Sequence, residues 1–92
     1  HWGVGLPFYA LMPEVKESLK NVYFDSAASP FLYGPEVFPT VAELAGDGKG
    51  FFASDYPLMD ISRPLEQARS AGLAPDVEAK LLSGNAAKLF RL

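Results

Sequence analysis

The stretch Phe51-Phe52-Ala53-Ser54-Asp55-Tyr56-Pro57 decides the expected fold, because a short apolar run ends there in a carboxylate and is stopped at once by proline. Turn-forming residues also precede it, at Gly48-Lys49-Gly50. Short apolar runs bounded by turn formers are typical of buried strands. An acidic residue at the C-terminal end of a parallel strand lies where α/β folds place their chemistry. Asp55 is therefore the first candidate functional residue, and a helix cap or a turn is its alternative role.

The composition bounds the size and class of the protein. The 92 residues make one small domain or part of a larger one, and 49% hydrophobic content is too apolar for a disordered segment. The net charge of −3, with both signs interspersed, argues against nucleic acid as a partner. No apolar run reaches the roughly 18 residues of a membrane span. The absence of cysteine excludes disulfides and thiolate metal sites.

Two features lead us to expect a piece of a longer polypeptide. The sequence starts at His1-Trp2-Gly3, without an initiator methionine or a signal-like apolar region. Its apolar content is also large for its length, since small domains bury surface inefficiently. A mature secreted chain that starts at His1 is the alternative.

The residue pattern predicts strands that alternate with helices. Such alternation implies a parallel sheet with right-handed crossovers. Two visible strands would leave open sheet edges, which again favours a missing remainder. We expect Ser62 to cap the third helix and Gly84-Asn85 to end the fourth. The predicted elements are loops at 1–9 and 26–30, strands at 21–25 and 51–55, helices at about 10–20, 35–45, 63–71 and 75–83, and a last turn at 86–91.

His1 is the only histidine and the second candidate functional residue. It precedes Gly3, Gly5 and Pro7, and glycines let a backbone pass close to a ligand or a neighbouring loop. The alternative is an incidental terminal residue. Copper binding by the amine and the ring would normally need a second imidazole, which the chain lacks.

Asp25 follows Tyr23-Phe24 much as Asp55 follows Phe51-Phe52. Two carboxylates at neighbouring strand ends can share a metal or a proton. We favour a local role for Asp25, in which its side chain bonds to the backbone of the next turn. A serine hydrolase is not expected, because no histidine stands at nucleophile-elbow spacing from any of Ser26, Ser29 and Ser54.

Four segments in consistent order resemble one family over essentially all 92 residues. Together they are similar to the C-terminal part of a metal-dependent hydrolase of the amidohydrolase superfamily. The branch they resemble most is the amidohydrolase-related group of aminocarboxymuconate-semialdehyde decarboxylase and related aromatic-acid decarboxylases. The segments are His1-Trp2-Gly3-Val4-Gly5-Leu6-Pro7-Phe8, Asn21-Val22-Tyr23-Phe24-Asp25-Ser26-Ala27-Ala28, Ser54-Asp55-Tyr56-Pro57 and Gly84-Asn85-Ala86-Ala87-Lys88-Leu89.

The resemblance implies an α/β fold made of the C-terminal βα units of a (β/α)8 TIM-like barrel, incomplete in this chain. It also implies a divalent metal, zinc in the first instance, at the C-terminal edge of the barrel. By this analogy His1 follows the sixth strand, and the seventh and eighth strands lie at 21–25 and 51–54. Asp55 then matches a catalytic, metal-binding aspartate. His1 matches the catalytic histidine that polarises the substrate or activates metal-bound water.

The chain also departs from the family pattern. The other metal-binding histidines would precede His1, and a catalytic zinc usually needs about three protein ligands. Trp2 and Ala53 stand where the family commonly has glycine, and we expect Trp2 to place a bulky ring near the metal edge.

We therefore expect a cytoplasmic, metal-dependent amidohydrolase-type enzyme that hydrolyses or decarboxylates a small carboxylated substrate, with the isolated chain inactive. The first alternative is a non-enzymatic remnant or homo-oligomeric α/β module that has no metal site and covers its sheet edges with copies of itself. The second is a small α/β domain of unrelated function in which His1 and Asp55 are structural.

Overall fold

The computed structural model describes residues 1–92 and contains six α-helices and two short strands. Turns of 3-10 helix at Trp2–Leu11 precede them, and a π-helical turn at Lys80–Gly84 joins the last two helices. None of the helices has the length and apolar character needed to cross a membrane. In chain order the elements are α1 (Pro13–Ser18), β1 (Phe24–Asp25), α2 (Ser29–Leu32), α3 (Val37–Ala45), β2 (Gly50–Phe51), α4 (Ser62–Arg69), α5 (Pro75–Ala79) and α6 (Asn85–Phe90).

The two strands pair in parallel, as the alternation of strands and helices predicts. Phe24 lies opposite Gly50, and Asp25 lies opposite Phe51. The ladder is shorter than the predicted strands. The N–H of Ala53, which could extend it, donates to the side-chain hydroxyl of Ser26 at 3.0 Å and not to a backbone carbonyl. The chain is thus a mixed α/β structure with a two-stranded sheet and no closed barrel.

One face of the sheet carries the core. Phe24 is buried there against the helices, and the rings of Trp2 and Phe38 meet edge to face at 5.5 Å. Gly50 leaves room for Trp2, since a Cβ at this position would already touch the indole at 3.4 Å. Burial of each large apolar side chain contributes about 1.5–3 kcal/mol to stability. The buried core consists of Trp2, Phe24, Phe38, Val41, Ala68 and Leu81.

The opposite face of the sheet carries partly exposed aromatic rings. Side chains alternate between faces along a strand, so Tyr23 and Phe51 lie on the face that Phe24 avoids. Their rings stack at 5.3 Å with an angle of 11° between the planes, and Phe90 of α6 lies 6.1 Å from Phe51. Tyr23 remains 37% exposed and Phe90 62% exposed. This half-covered face is the least well buried apolar surface of the sheet.

Two segments predicted as loops are helical. Residues of the first loop form 3-10 turns, in which Gly3 and Gly5 take positive φ angles of 60° and 96° that suit glycine. Within the second predicted loop, α2 begins at Ser29 after Ala28 with a φ of 60°. Pro30 favours this start because its fixed φ suits the first turn of a helix.

The predicted cap at Ser62 and the predicted stop at Gly84-Asn85 are wrong. Ile61 occupies the cap position of α4 without a side-chain cap, and Ser62 Oγ instead donates to Asp60 Oδ2 at 3.3 Å. The helical path continues through Gly84 as a π turn into α6. Asn85 is buried, and its side-chain amide donates to the backbone carbonyls of Asp47 and Gly50. Asn85 therefore does not end a helix.

Candidate functional site

The structure brings His1 and Asp55 together. His1 Nε2 lies 3.2 Å from Asp55 Oδ2, although 54 positions separate the two residues in the chain. Both side chains reach solvent, with exposed fractions of 51% and 39%. Asp55 follows the β2 segment and adopts a left-handed φ of 68°, a conformation that aspartate tolerates better than most residues other than glycine. The backbone therefore turns sharply where the carboxylate meets the imidazole.

Asp25, at the end of β1, binds the amino group of His1. Its Oδ1 accepts hydrogen bonds from the amino nitrogen of His1 at 2.8 Å and from the N–H of Ala27 at 2.9 Å. The bond to Ala27 is the local turn contact that the sequence predicts. The bond to the His1 amino nitrogen was not predicted. Partial burial acts to raise the pKa of the Asp25 carboxyl, but these hydrogen bonds and the positive His1 amino group outweigh it and lower the pKa.

Trp2 does not place its ring at the edge of the site, contrary to the expectation from its position beside His1. Only 2% of Trp2 is exposed, and its indole Nε1 donates to Ser29 Oγ at 2.8 Å. The side chain points into the core because its ring packs against Phe38 and against Gly50, which has no side chain. Trp2 is therefore part of the core and not of the surface around His1 and Asp55.

Two buried serines connect the segments that carry the site. Ser29 Oγ donates to the carbonyl of Ser26 at 2.7 Å, and Ser26 Oγ accepts from the N–H of Ala53 at 3.0 Å. Sequence reasoning considered these serines only as nucleophiles and missed this structural role. The signal was present in the spacing, since hydroxyls three residues apart after a strand commonly bond back to the turn.

The site has donors of the right type for a divalent metal but too few of them. Imidazole nitrogen and carboxylate oxygen both bind zinc, and a catalytic zinc takes about three protein ligands. The structure contains no group of three or more His, Cys, Asp or Glu side chains placed to hold a metal ion. The residues of this chain do not by themselves form a complete metal site. What His1 and Asp55 can do alone is orient one another and transfer a proton.

A carboxylate and an imidazole that meet beyond the ends of parallel strands are typical of α/β proteins that perform acid–base chemistry. The model of the amidohydrolase family matches residues 1–92, and the chain belongs to this family. Amidohydrolases generally bind divalent metals and act on small molecules. No curated protein and no solved structure matches the chain.

Proposed function

We propose that this chain supplies His1 and Asp55 to the active site of an amidohydrolase-type enzyme that hydrolyses or decarboxylates a small carboxylated molecule. The observation that supports this proposal is the 3.2 Å contact between the two side chains. In this proposal His1 takes up and returns a proton beside the substrate, and Asp55 orients its ring. Asp55 is also our candidate for one ligand of a divalent metal, with zinc as the first metal to test.

We further propose that the chain forms the C-terminal βα units of a larger TIM-like barrel. Asp55 alone supplies fewer ligands than a catalytic zinc requires, so the remaining ligands would come from other strands. The stacked Tyr23 and Phe51 lie on the half-covered face of the sheet, opposite the core, and this is the face that we propose a barrel would enclose. Large apolar residues near the site are also exposed, including Tyr56 at 78% and Leu58 at 57%.

The first experiment tests the chain alone. We expect the purified 92-residue chain to bind no stoichiometric tight zinc or manganese and to show no turnover of carboxylated substrates. The metal content is measured by elemental analysis after dialysis, and turnover by release of the acid product or of carbon dioxide. A tightly bound equivalent of metal together with robust turnover would show that the chain needs no other strands.

The second experiment places the chain in a complete barrel and replaces Asp55 by Asn. We expect a fall in kcat of at least about 100-fold with the fold intact, because a group that acts on the transition state is lost. His1→Gln should reduce kcat by a similar factor. Asp76→Asn is the matched control, since this exposed carboxylate lies on α5. Unchanged kinetics in Asp55→Asn would assign the residue a structural role.

A homo-oligomeric module without enzymatic activity is the second candidate function. The half-covered face of Tyr23, Phe51 and Phe90 favours it, because exposed aromatic patches commonly mark interfaces. Size-exclusion chromatography with light scattering distinguishes the candidates. The oligomeric module predicts a discrete dimer or larger species of the 92-residue chain, and a monomer at high concentration argues against it.

A further inference from the structure

Three separate segments meet through one chain of hydrogen bonds, two of them buried and the third partly buried. The first contains Trp2, directly after His1; the second contains Ser26 and Ser29, after β1; and the third contains Ala53, two residues before Asp55. The bonds run from the Trp2 indole to Ser29 Oγ at 2.8 Å, from Ser29 Oγ to the Ser26 carbonyl at 2.7 Å, and from the Ala53 N–H to Ser26 Oγ at 3.0 Å.

We propose that Ser29, acting through Trp2, is a positioning residue that sets the contact between His1 and Asp55. This inference deepens the proposed function, since it concerns the same pair, but it rests on the geometry of the buried bonds. Ser29 is 0% exposed and Ser26 is 1% exposed, so water does not compete for these groups. A buried donor left without a partner is costly, which makes an alternative placement of the three segments unfavourable.

The directions of the bonds explain why Ser29 is the central member. Its hydroxyl accepts from the indole and donates its only proton to the Ser26 carbonyl, so its rotation is fixed. The indole is in turn held by its edge-to-face contact with Phe38. Because His1 precedes Trp2 directly, fixing the Trp2 backbone also fixes the point from which the imidazole projects.

The experiment replaces Ser29 by Ala and observes the His1–Asp55 contact directly by NMR at one fixed pH. Asp55→Asn supplies the reference signal of the His1 Nε2 nitrogen without the carboxylate, and His1→Gln supplies that of the Asp55 carboxyl carbon without the imidazole. We expect Ser29→Ala to move both signals most of the way to these references. Ser18→Ala, which removes an exposed hydroxyl from α1, should move neither.

Trp2→Phe is the second variant, and it tests the inference by the same NMR signals if Ser29→Ala does not fold. It removes the N–H donor and keeps an aromatic ring in the core, and we expect the same shift of both signals. In the double variant Ser29→Ala and Trp2→Phe the shift should not exceed that of Ser29→Ala, because that variant already removes the bond between Trp2 and Ser29. A folded variant that loses thermal stability while its His1 and Asp55 signals stay in place would overturn the inference. This readout does not involve turnover, so a complete barrel that proved inactive would contradict the proposed function and leave the positioning role standing.

Discussion

The imidazole of His1 lies 3.2 Å from the carboxylate of Asp55, and both side chains remain open to solvent. Parallel pairing of β1 with β2 brings the end of one strand beside the end of the other, and the buried hydrogen bond from Trp2 to Ser29 holds the first residues in the same place. A hydrogen-bonded pair exposed to this degree contributes little to stability. The pair is therefore not expected to hold the fold together, and the catalytic role that we propose for it does not require that it should.

The first prediction is that breaking this pair hardly changes stability. Asp55→Asn should alter the free energy of unfolding by less than about 1 kcal/mol, because exposed pairs are screened by water. Asparagine also tolerates the left-handed φ of 68° at this position. Chemical denaturation of the wild type, of Asp55→Asn, of His1→Gln and of the double variant measures the coupling free energy between His1 and Asp55. A coupling well above that value would mean that the pair is a main support of the fold.

The second prediction concerns Gly3 and Gly5, which both adopt a positive φ. A Cβ at Gly3 would lie 3.1 Å from the Cβ of Leu6 and 3.3 Å from the ring of Phe24, whereas a Cβ at Gly5 meets nothing within 4 Å. Gly5→Ala should therefore cost about 1 kcal/mol from backbone strain alone. Gly3→Ala should cost more, since crowding is added to the same strain. Equal losses in thermal or chemical unfolding would show that the contacts around residue 3 adjust freely.

The third prediction concerns the buried amide of Asn85. Its Nδ2 donates to the carbonyls of Asp47 and Gly50, both at 2.9 Å, and so ties α6 to β2 and the preceding turn. Asn85→Ala should reduce the free energy of unfolding by about 2 kcal/mol, because buried carbonyls lose their donor. Asn21→Ala, at an exposed asparagine, is the control and should change it by less than about 0.5 kcal/mol.

Asn85→Asp sharpens the test of the same contact. The new carboxylate has no donor and would face two carbonyl oxygens, so at neutral pH it should destabilise more than alanine does. Lowering the pH should recover part of the loss, since a protonated carboxyl can donate one hydrogen bond. A loss that is smaller than that of Asn85→Ala at neutral pH would contradict the assigned donor role.

The fourth prediction is a pH dependence that arises from Asp25. In the 92-residue chain, where the His1 amino group beside it is free and positive, the pKa of the Asp25 carboxyl is lower in the folded state than the ordinary value, so the unfolded state binds the proton more readily. Its stabilising effect should be complete above the ordinary pKa of about 4 and should disappear as the pH falls through the lowered pKa. The effect is small, because the side chain is 54% exposed.

Comparison of the wild type with Asp25→Asn isolates this contribution. The difference in unfolding free energy between the two proteins should be greatest near neutral pH and should vanish in acid. Glu43→Gln, at an exposed position of α3, is the control and should give a difference that lacks this trend. A difference between wild type and Asp25→Asn that grows on acidification would contradict the direction of the pKa shift.

Several elements were predictable because their cause is local. Pro75 opens α5, and Gly46 ends α3 with a φ of 109°, since proline and glycine act through their own backbone preferences. The apolar runs at residues 21–25 and 51–55 indicated strands, and their alternation with helices indicated the parallel pairing. The length of the ladder was not predictable, because it depends on the Ser26 hydroxyl, directly after β1, bonding to the N–H of Ala53 across the sheet.

The sequence alone determined the α/β character of the chain, the family resemblance and His1 and Asp55 as the pair to examine. Tertiary structure decided where Trp2 points, how Asn85 is used and which hydroxyls connect the segments around the pair. The physical reason is the distance along the chain over which each kind of interaction acts. Propensities and apolar patterns act over a few neighbouring residues, whereas a buried polar group must find a partner wherever the fold provides one, 27 positions away for Trp2 and Ser29.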